Sequence, residues 1–257
     1  MTSSNQQECE DGAGSRADSP RPSGLFPDTR WSLVIAARSA CDKIAQEALA
    51  HLCQIYWFPL YVFVRGRGFS PHDAEDITQS FFARFLARED FNCADSDKGR
   101  LRAFLLVSMK HFIASWVRRA RRQKRGGEAS TVSIDRALAE ERYGKVPRDN
   151  ASPDLIFEKQ WAVALLQQVM QSLEEEYAEK GKGEIFEALR GHISLWAREK
   201  PYAEAAAELG MSEGSLKTAA HRMRQRYRDL QRREVAHTVA ENNQVDAEIN
   251  HFFQLFS

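Results

Sequence analysis

The chain lacks any long apolar run. Nowhere in its 257 residues does an uninterrupted apolar stretch approach the ~18 residues that a membrane-spanning helix needs. The N-terminus also lacks a basic start followed by an apolar core, so we expect no secretory signal. These absences predict a cytoplasmic protein that has no contact with a membrane.

Cysteine is scarce and net charge is absent. The four cysteines (Cys9, Cys41, Cys53 and Cys93) show no CxxC spacing, so they predict neither a disulfide framework nor a zinc site. Lys plus Arg and Asp plus Glu number 36 each, which gives a net charge of zero. Positive charge is therefore gathered into patches.

Two sequence motifs of enzymes, a Gly-rich phosphate loop and a nucleophile elbow, are both absent. We expect no catalytic residue, no metal and no cofactor.

Strand-type alternation is also absent, whereas apolar residues recur at helical spacing from Thr29 onwards. The fold class predicted is all-α with two helical domains. Pro59 is expected to kink or divide the helix over 44–64. The predicted segments are a disordered tail (1–24), a first helical domain (25–127), a polar linker (128–152), a second helical domain (153–234) and a C-terminal amphipathic extension (235–257).

Residues 201–230 have the pattern of two helices joined by a tight turn. Gly210 tolerates a left-handed backbone, and Ser212 can cap the second helix. That helix has a buried stripe of Leu216, Ala219, Met223, Tyr227 and Leu230. Its opposite face carries Ser215, Lys217, Thr218, His221, Arg222 and Gln225. This layout is typical of a helix-turn-helix that enters a DNA major groove. The alternative is an ordinary helical hairpin with a solvated basic face.

A second basic site ends a long amphipathic helix predicted upstream. Its members are Arg118, Arg119, Arg121, Arg122, Lys124 and Arg125. Like charges at this density repel one another and favour an anionic partner, which a phosphate backbone would supply. The alternatives are a solubilising surface run or a helix C-terminus that complements its dipole. Gly126 and Gly127 are expected to end this helix.

A third helix is predicted over 71–87. Ser70 followed by Pro71 is a helix start signal, and Asp73, Glu75 and Asp76 favour the positive end of the helix. The residues predicted to be buried are Ala74, Ile77, Phe81, Phe82 and Phe85. A polar strip of Asp76, Gln79 and Arg84 is expected on the opposite side.

Together these motifs resemble the sigma factors of bacterial RNA polymerase, and most nearly the extracytoplasmic-function type of the sigma-70 family. DAEDITQSFFARFL (73–86) resembles the helix that docks on the polymerase clamp. The segment 100–125 resembles the promoter-melting and −10 reading segment, and 204–230 resembles region 4, which reads the −35 element. TRWSLV (29–34), YWFPLY (56–61) and VDAEINHFFQLF (245–256) resemble a narrower subgroup.

The resemblance implies core RNA polymerase and promoter DNA as partners, and leaves room for an anti-sigma or other regulatory protein. It assigns polymerase contact to Asp73, Asp76, Gln79 and Arg84. It assigns −10 binding and melting to His111, Phe112, Trp116, Arg118, Arg119, Arg121 and Arg122. It assigns contact with the −35 element to Ser215, Lys217, Thr218, His221, Arg222 and Gln225. For Phe112 and Trp116 the alternative role is core packing.

Two positions depart from the family pattern. Ser80 stands where the family often has Glu, which puts one polar clamp contact in doubt. His111 stands where several relatives carry Asn; because His can also donate, accept and stack, we expect altered base preference and retained function.

Other functions compete with this interpretation. A conventional helix-turn-helix regulator would bind DNA without polymerase, but it would not explain the basic helix at 100–125. An enzyme could use His72, Asp73, Glu75 and Asp76 as an acid/base or metal cluster, and an RNA-binding helical protein is a third possibility.

The C-terminal extension carries an apolar stripe of Val245, Ile249, Phe252, Phe253 and Phe256. Water contact over such a stripe invites aggregation, so we expect it to fold back on the chain, with docking on a partner as the alternative.

Overall fold

The computed structural model describes residues 43–86, 100–123, 136–147, 151–193, 200–239 and 241–256. Within these ranges the chain is all-helical, as predicted, and none of the helices is long and apolar enough to cross a membrane. The tail 1–24 and the TRWSLV segment lie outside them. The helices are α1 (Lys43–Gly66), α2 (Pro71–Leu86), α3 (Leu101–Gln123), α4 (Arg136–Gly144), α5 (Pro153–Glu179), α6 (Gly183–Leu189), α7 (Tyr202–Glu208), α8 (Glu213–Ala236) and α9 (Val245–Leu255).

Helix α1 runs without interruption through Pro59. Of the two outcomes expected at this proline, a kink or a division of the helix, the division is therefore wrong. A proline inside a helix costs about 3 kcal/mol, but the surrounding turns are buried on almost every side. Tyr56, Leu60, Tyr61 and Phe63 are all fully inaccessible. Burial of several large side chains, each worth ~1.5–3 kcal/mol, outweighs the cost of the proline.

Helix α5 is the central helix of the fold because it packs on both α1 and α8. Ser152 caps it by accepting a hydrogen bond from the backbone N–H of Leu155 at 3.2 Å, and Pro153 follows in the first turn. Helical spacing in the sequence predicts one apolar side made of Leu155, Ala162, Leu165, Leu166, Val169 and Leu173. All of these residues are buried except Leu155, which is 39% exposed. Ile156 and Phe157 take the inward positions of that first turn instead.

Helix α4 lies inside the segment predicted to be a polar linker. Glu140 holds it to α1 by accepting hydrogen bonds from Arg65 Nε at 2.8 Å, from Arg65 Nη2 at 3.0 Å and from the Tyr61 hydroxyl. The pKa of Tyr61 is raised, first by burial and then by this carboxylate. The sequence predicts that Ile134 and Leu138 pack a short helix in this segment. Ile134 lies outside the described residues, and Leu138 is 53% exposed, whereas Ala139 and Tyr143 are buried. Charge pairing and these two buried residues therefore hold α4 in place.

Two helix ends differ from those that the sequence pattern predicts. The pattern predicts a helix over 185–196, but α6 ends at Leu189 and is followed by one 3-10 turn over Arg190–His192, while 194–196 lie outside the described residues. The pattern also predicts that the helix after Glu213 continues to about residue 240, but α8 ends at Ala236, and the chain then turns so that Thr238 and Val239 become buried. Buried side chains from α1 to α9 form one apolar cluster. The division into two domains stays a prediction.

Helix α9 folds back on the chain, as expected. Phe252 is 2% exposed and stacks on Trp161 of α5, with ring centroids 5.0 Å apart. The predicted stripe is only partly correct, because Phe253 and Phe256 are 63% and 41% exposed. Glu248, Phe252 and Leu255 occupy the buried side with Val245. The charge of Glu248 is met by Arg102 of α3 and by Arg100, which directly precedes that helix.

Candidate nucleic-acid interface

The turn between α7 and α8 has the predicted chemistry. Gly210 adopts a positive φ of 63°, and the N–H of Met211 donates to the Ala206 carbonyl at 2.9 Å. Ser212 then accepts from the N–H of Ser215 at 3.2 Å, which satisfies a first-turn donor of α8. Local hydrogen bonding therefore determines where α8 begins and in which direction it leaves the turn.

Removal of this cap should have a measurable cost. Ser212→Ala is expected to lower the free energy of unfolding by about 0.5–2 kcal/mol, because one first-turn N–H loses its acceptor. Urea denaturation followed by circular dichroism measures the loss. Ser80→Ala, at an exposed position within α2, is the control and should stay within ~0.5 kcal/mol. Equal losses in the two variants would contradict the capping role.

The inner face of α8 forms the predicted stripe. Leu216, Met223 and Leu230 are buried, and Ala219 and Tyr227 pack partly buried beside them. Ala220, which the spacing did not single out, is also fully buried. Burial raises the pKa of Tyr227 to about 12. This face is committed to the core, so any ligand has to bind the opposite face.

The outer face of α8 is open to solvent. All six residues predicted to contact the −35 element are exposed: Ser215, Lys217, Thr218, His221, Arg222 and Gln225. The bonds on this face are local and solvated. Lys217 pairs with Glu213 at 2.7 Å, and the Gln225 amide oxygen accepts from Arg228 Nη2 at 3.2 Å. Exposed pairs of this kind are worth about 0–1 kcal/mol, so DNA can replace them at little cost.

Two further arginines of α8 face the protein. Arg226 Nε donates to Glu176 Oε2 of α5 at 2.8 Å, and this hydrogen bond is the main cause of the lowered pKa of Glu176. Arg224 donates to the hydroxyl of Tyr202, whose ring stacks on His192 with centroids 4.1 Å apart. The sequence analysis missed both roles, although each arginine adjoins a residue of the buried stripe. They fix α8 relative to α5 and α7.

The basic end of α3 is partly described. His111, Arg118 and Arg119 are exposed, and Arg118 Nη2 donates to Ser115 Oγ at 2.9 Å. Arg121 and Arg122 belong to α3, but their side chains lie outside the described residues, as do Lys124, Arg125 and the two glycines expected to end the helix. The exposed arginines of this helix form a second basic surface, on a different helix from the outer face of α8.

The two aromatic candidates of α3 pack inside the fold. Phe112 is 7% exposed and meets the ring of Phe81 edge-on at 5.7 Å. Trp116 is partly buried and meets Phe69 edge-on at 6.0 Å. This is the packing alternative given for both residues. Only His111 presents an exposed ring on this part of the helix.

Helix α2 has the predicted cap and buried face. The backbone N–H of Asp73 donates to Ser70 Oγ at 3.1 Å. All five predicted core residues are buried: Ala74, Ile77, Phe81, Phe82 and Phe85. Asp76 pairs with His72 at 3.0 Å, and Gln79 Nε2 donates to Glu75 Oε1 at 3.2 Å. The partly exposed strip is therefore Asp73, Asp76 and Gln79.

Two polar residues of α2 lie elsewhere than expected. Arg84 was placed opposite the aromatic face, but its guanidinium carbon lies 5.3 Å from the centroid of the Phe112 ring. The attraction of a cation to an aromatic face draws this long side chain towards the core. Glu75 is 2% exposed and is not a surface acid, whereas the imidazole of its neighbour His72 is 60% exposed.

This geometry bears on the enzyme alternative. The proposed cluster of His72, Asp73, Glu75 and Asp76 divides between core and surface, so the four side chains do not converge on one reacting atom. Across the part of the chain that the structure describes, no group of three or more His, Cys, Asp or Glu residues could hold a metal ion.

Comparison of the chain with protein-family models, with curated proteins and with solved structures finds no match.

Proposed function

We propose that this chain is a sigma factor of the extracytoplasmic-function type, which binds core RNA polymerase and directs it to promoters. It would act in the cytoplasm with two helical domains, one for the −10 element and one for the −35 element. It would break no covalent bond itself, because its contribution is sequence recognition and help in opening the duplex.

The observation that supports this proposal best is the outer face of α8. Six polar or basic side chains stand exposed on one helix whose start, inner face and contact with α5 are all fixed. A helix held in this way can enter a major groove, where a good bidentate base contact discriminates by ~1–3 kcal/mol. The exposed arginines of α3 add phosphate contacts, which orient the protein without reading sequence.

The direct test is reconstitution with core RNA polymerase. We expect the purified chain to produce promoter-specific transcripts from genomic DNA, and mapping of their start sites should reveal shared −10 and −35 elements. Core enzyme alone is the control. DNA binding without any polymerase-dependent transcript would favour a conventional helix-turn-helix regulator instead.

The strip on α2 should carry the polymerase contact. Charge reversal at Asp76 combined with Gln79→Ala is expected to lower co-purification with core enzyme about ten-fold, because polar contacts at an interface are lost. Both side chains are partly exposed, so the helical content measured by circular dichroism should not change. Arg84 is a poorer choice for this test because it stacks on Phe112.

Glu175→Lys is the matched control for that measurement. It also reverses one acidic charge, but on the exposed side of α5, and it should leave co-purification unchanged. Undiminished polymerase binding by the Asp76 and Gln79 double variant would contradict the docking assignment.

A further inference from the structure

A cleft that the proposed function does not use opens between α1, α4 and α5. Its volume is about 290 Å³, which is the space that roughly ten water molecules take up in the liquid. The polar residues that carry the argument are Arg142 of α4, Gln54 of α1, and Gln167 and Gln168 of α5. This volume is close to the lower end of the range found for small-molecule sites, so the cleft has room for a small organic ligand.

The positive charge in this cleft has no negative partner. The guanidinium carbon of Arg142 lies 3.9 Å from the centroid of the Phe58 ring, so one face of the planar group is stacked. No described acidic side chain pairs with Arg142, whereas the charge of Arg65 on α1 is met by Glu140. Burial lowers the pKa of Arg142, and no neighbouring carboxylate offsets that effect. The residue as a whole is exposed, so a dissolved ligand can reach its N–H groups.

Helix α4 holds this guanidinium in position before any ligand arrives. Glu140 accepts hydrogen bonds from Arg65 and from the Tyr61 hydroxyl, and Tyr143 meets the Tyr61 ring edge-on with centroids 6.5 Å apart. These contacts flank Arg142 in sequence and attach its helix to α1 on both sides of it. A site whose charged group is already fixed loses less conformational entropy on binding.

Three carboxamides line the same cleft without a partner. The side chains of Gln54, Gln167 and Gln168 make no hydrogen bond to any residue that the structure describes. Each carboxamide offers two N–H donors and one acceptor oxygen. Ile55 and Ala164 add apolar surface between them. The lining therefore combines one cation with several neutral groups that can both donate and accept.

We infer that this cleft binds a small organic acid that carries one carboxylate together with hydroxyl or amide groups. The planar fork of Arg142 donates two parallel hydrogen bonds to the carboxylate, and the glutamines bind the remaining polar groups. One cation balances one negative charge, so a carboxylate fits this lining better than a phosphate dianion does. The inference does not depend on the proposed function, because neither basic surface contributes a residue to the cleft.

The test is a titration of the isotope-labelled full chain followed by nuclear magnetic resonance. The probes are gluconate and N-acetylglutamine, which are both monoanions of suitable size; the first offers hydroxyls and the second amides. At least one of them should shift the signals of the Arg142 Nε–H and of the glutamine side-chain amides, with a Kd of about 0.1–10 mM, as is usual for so small a ligand. Sorbitol, which resembles gluconate but has no carboxylate, should bind at least ten-fold more weakly.

Substitutions in the cleft show which groups bind the probe. Arg142→Gln should weaken binding at least ten-fold, because the charged bidentate contact is lost. Arg142→Lys keeps the charge but not the fork and should weaken binding about five-fold. Gln168→Leu should have a similar effect through the loss of one neutral hydrogen bond. Arg190→Gln, which removes an exposed arginine outside the cleft, is the control and should leave the Kd unchanged.

Several results would overturn the inference. The unaltered chain could fail to bind either acid, or Arg142→Gln could bind it as tightly as the unaltered chain does. Inorganic phosphate that binds as tightly as the acids would show that the ligand class is wrong. If circular dichroism shows that Arg142→Gln does not fold, unchanged affinity in both Arg142→Lys and Gln168→Leu would be equally decisive. Each of these failures leaves the sigma-factor proposal untouched, because reconstituted transcription needs no added acid.

Discussion

Trp161→Ala should lower the free energy of unfolding by about 3–5 kcal/mol, the largest stability loss expected from any single change discussed for this chain. Trp161 is fully buried on α5 and stacks on Phe252 with centroids 5.0 Å apart. The Tyr56 ring also stacks on the Trp161 indole, with ring centroids 6.4 Å apart. The Arg102 guanidinium carbon lies 4.8 Å from the centroid of the indole ring. Removal of the indole would open a cavity among α1, α3, α5 and α9 together.

Urea denaturation with far-UV circular dichroism measures this loss. Leu155→Ala is the control, because it removes an apolar side chain from the same helix at a site that is 39% exposed. Its cost should stay within about 0.5–1 kcal/mol. Similar losses in the two variants would mean that the four helices do not share a core at Trp161.

Gln225→Ala should reorder the preference among −35 sequences. The side chain is exposed near the middle of the outer face of α8, and loss of one bidentate contact is worth ~1–3 kcal/mol, or about 5- to 150-fold, at the base it reads. Arg118→Ala should instead weaken all promoters by a similar factor, because a phosphate contact carries no sequence information. It should also reduce the slope of log affinity against log salt by about one.

Competition binding over a set of −35 variants at several salt concentrations distinguishes these outcomes. Lys145→Ala, which removes an exposed cation directly after α4, is the control and should leave both ranking and salt slope unchanged. The reverse pattern, with ranking altered by Arg118→Ala, would mean that the roles of the two surfaces are exchanged.

Features with local causes were predictable from the sequence. The positive φ of Gly210 and the cap from Ser212 depend on residues within a few positions of the turn. The buried stripe of α8 follows from helical periodicity alone. The exposure of its outer face follows for the same reason, because opposite sides of one helix cannot both be buried against a single neighbour.

Features with distant causes were not predictable. Arg102 and Glu248 lie 146 residues apart in sequence, and Arg65 and Glu140 lie 75 apart. No periodicity links such pairs, and each charge taken alone suggests a solvated surface. The only local sign was position, because Glu248 falls three residues after Val245 and four before Phe252, on the apolar side of α9.

Dependence on residues far away in the sequence also explains why two apolar residues predicted to be buried are exposed. Phe253 and Phe256 fit a stripe with Phe252, but the surface offered by α5 and α8 has room for only one side of α9. Which residues of an amphipathic helix become buried depends on the width of the partner surface, and the helix sequence does not contain that width.

The position of α5 also has a consequence for the order in which the chain can fold during synthesis. Helix α1 packs on α5 more than on any other described helix, yet α5 is not complete until Glu179 has left the ribosome. The 113 residues over 67–179 take about 6–23 s to translate at roughly 5–20 residues per second. Throughout that interval the part of α1 that packs on α5 stays uncovered, although α2 already contacts another part of the helix, so nascent chains stalled before α5 should be the species that chaperones bind.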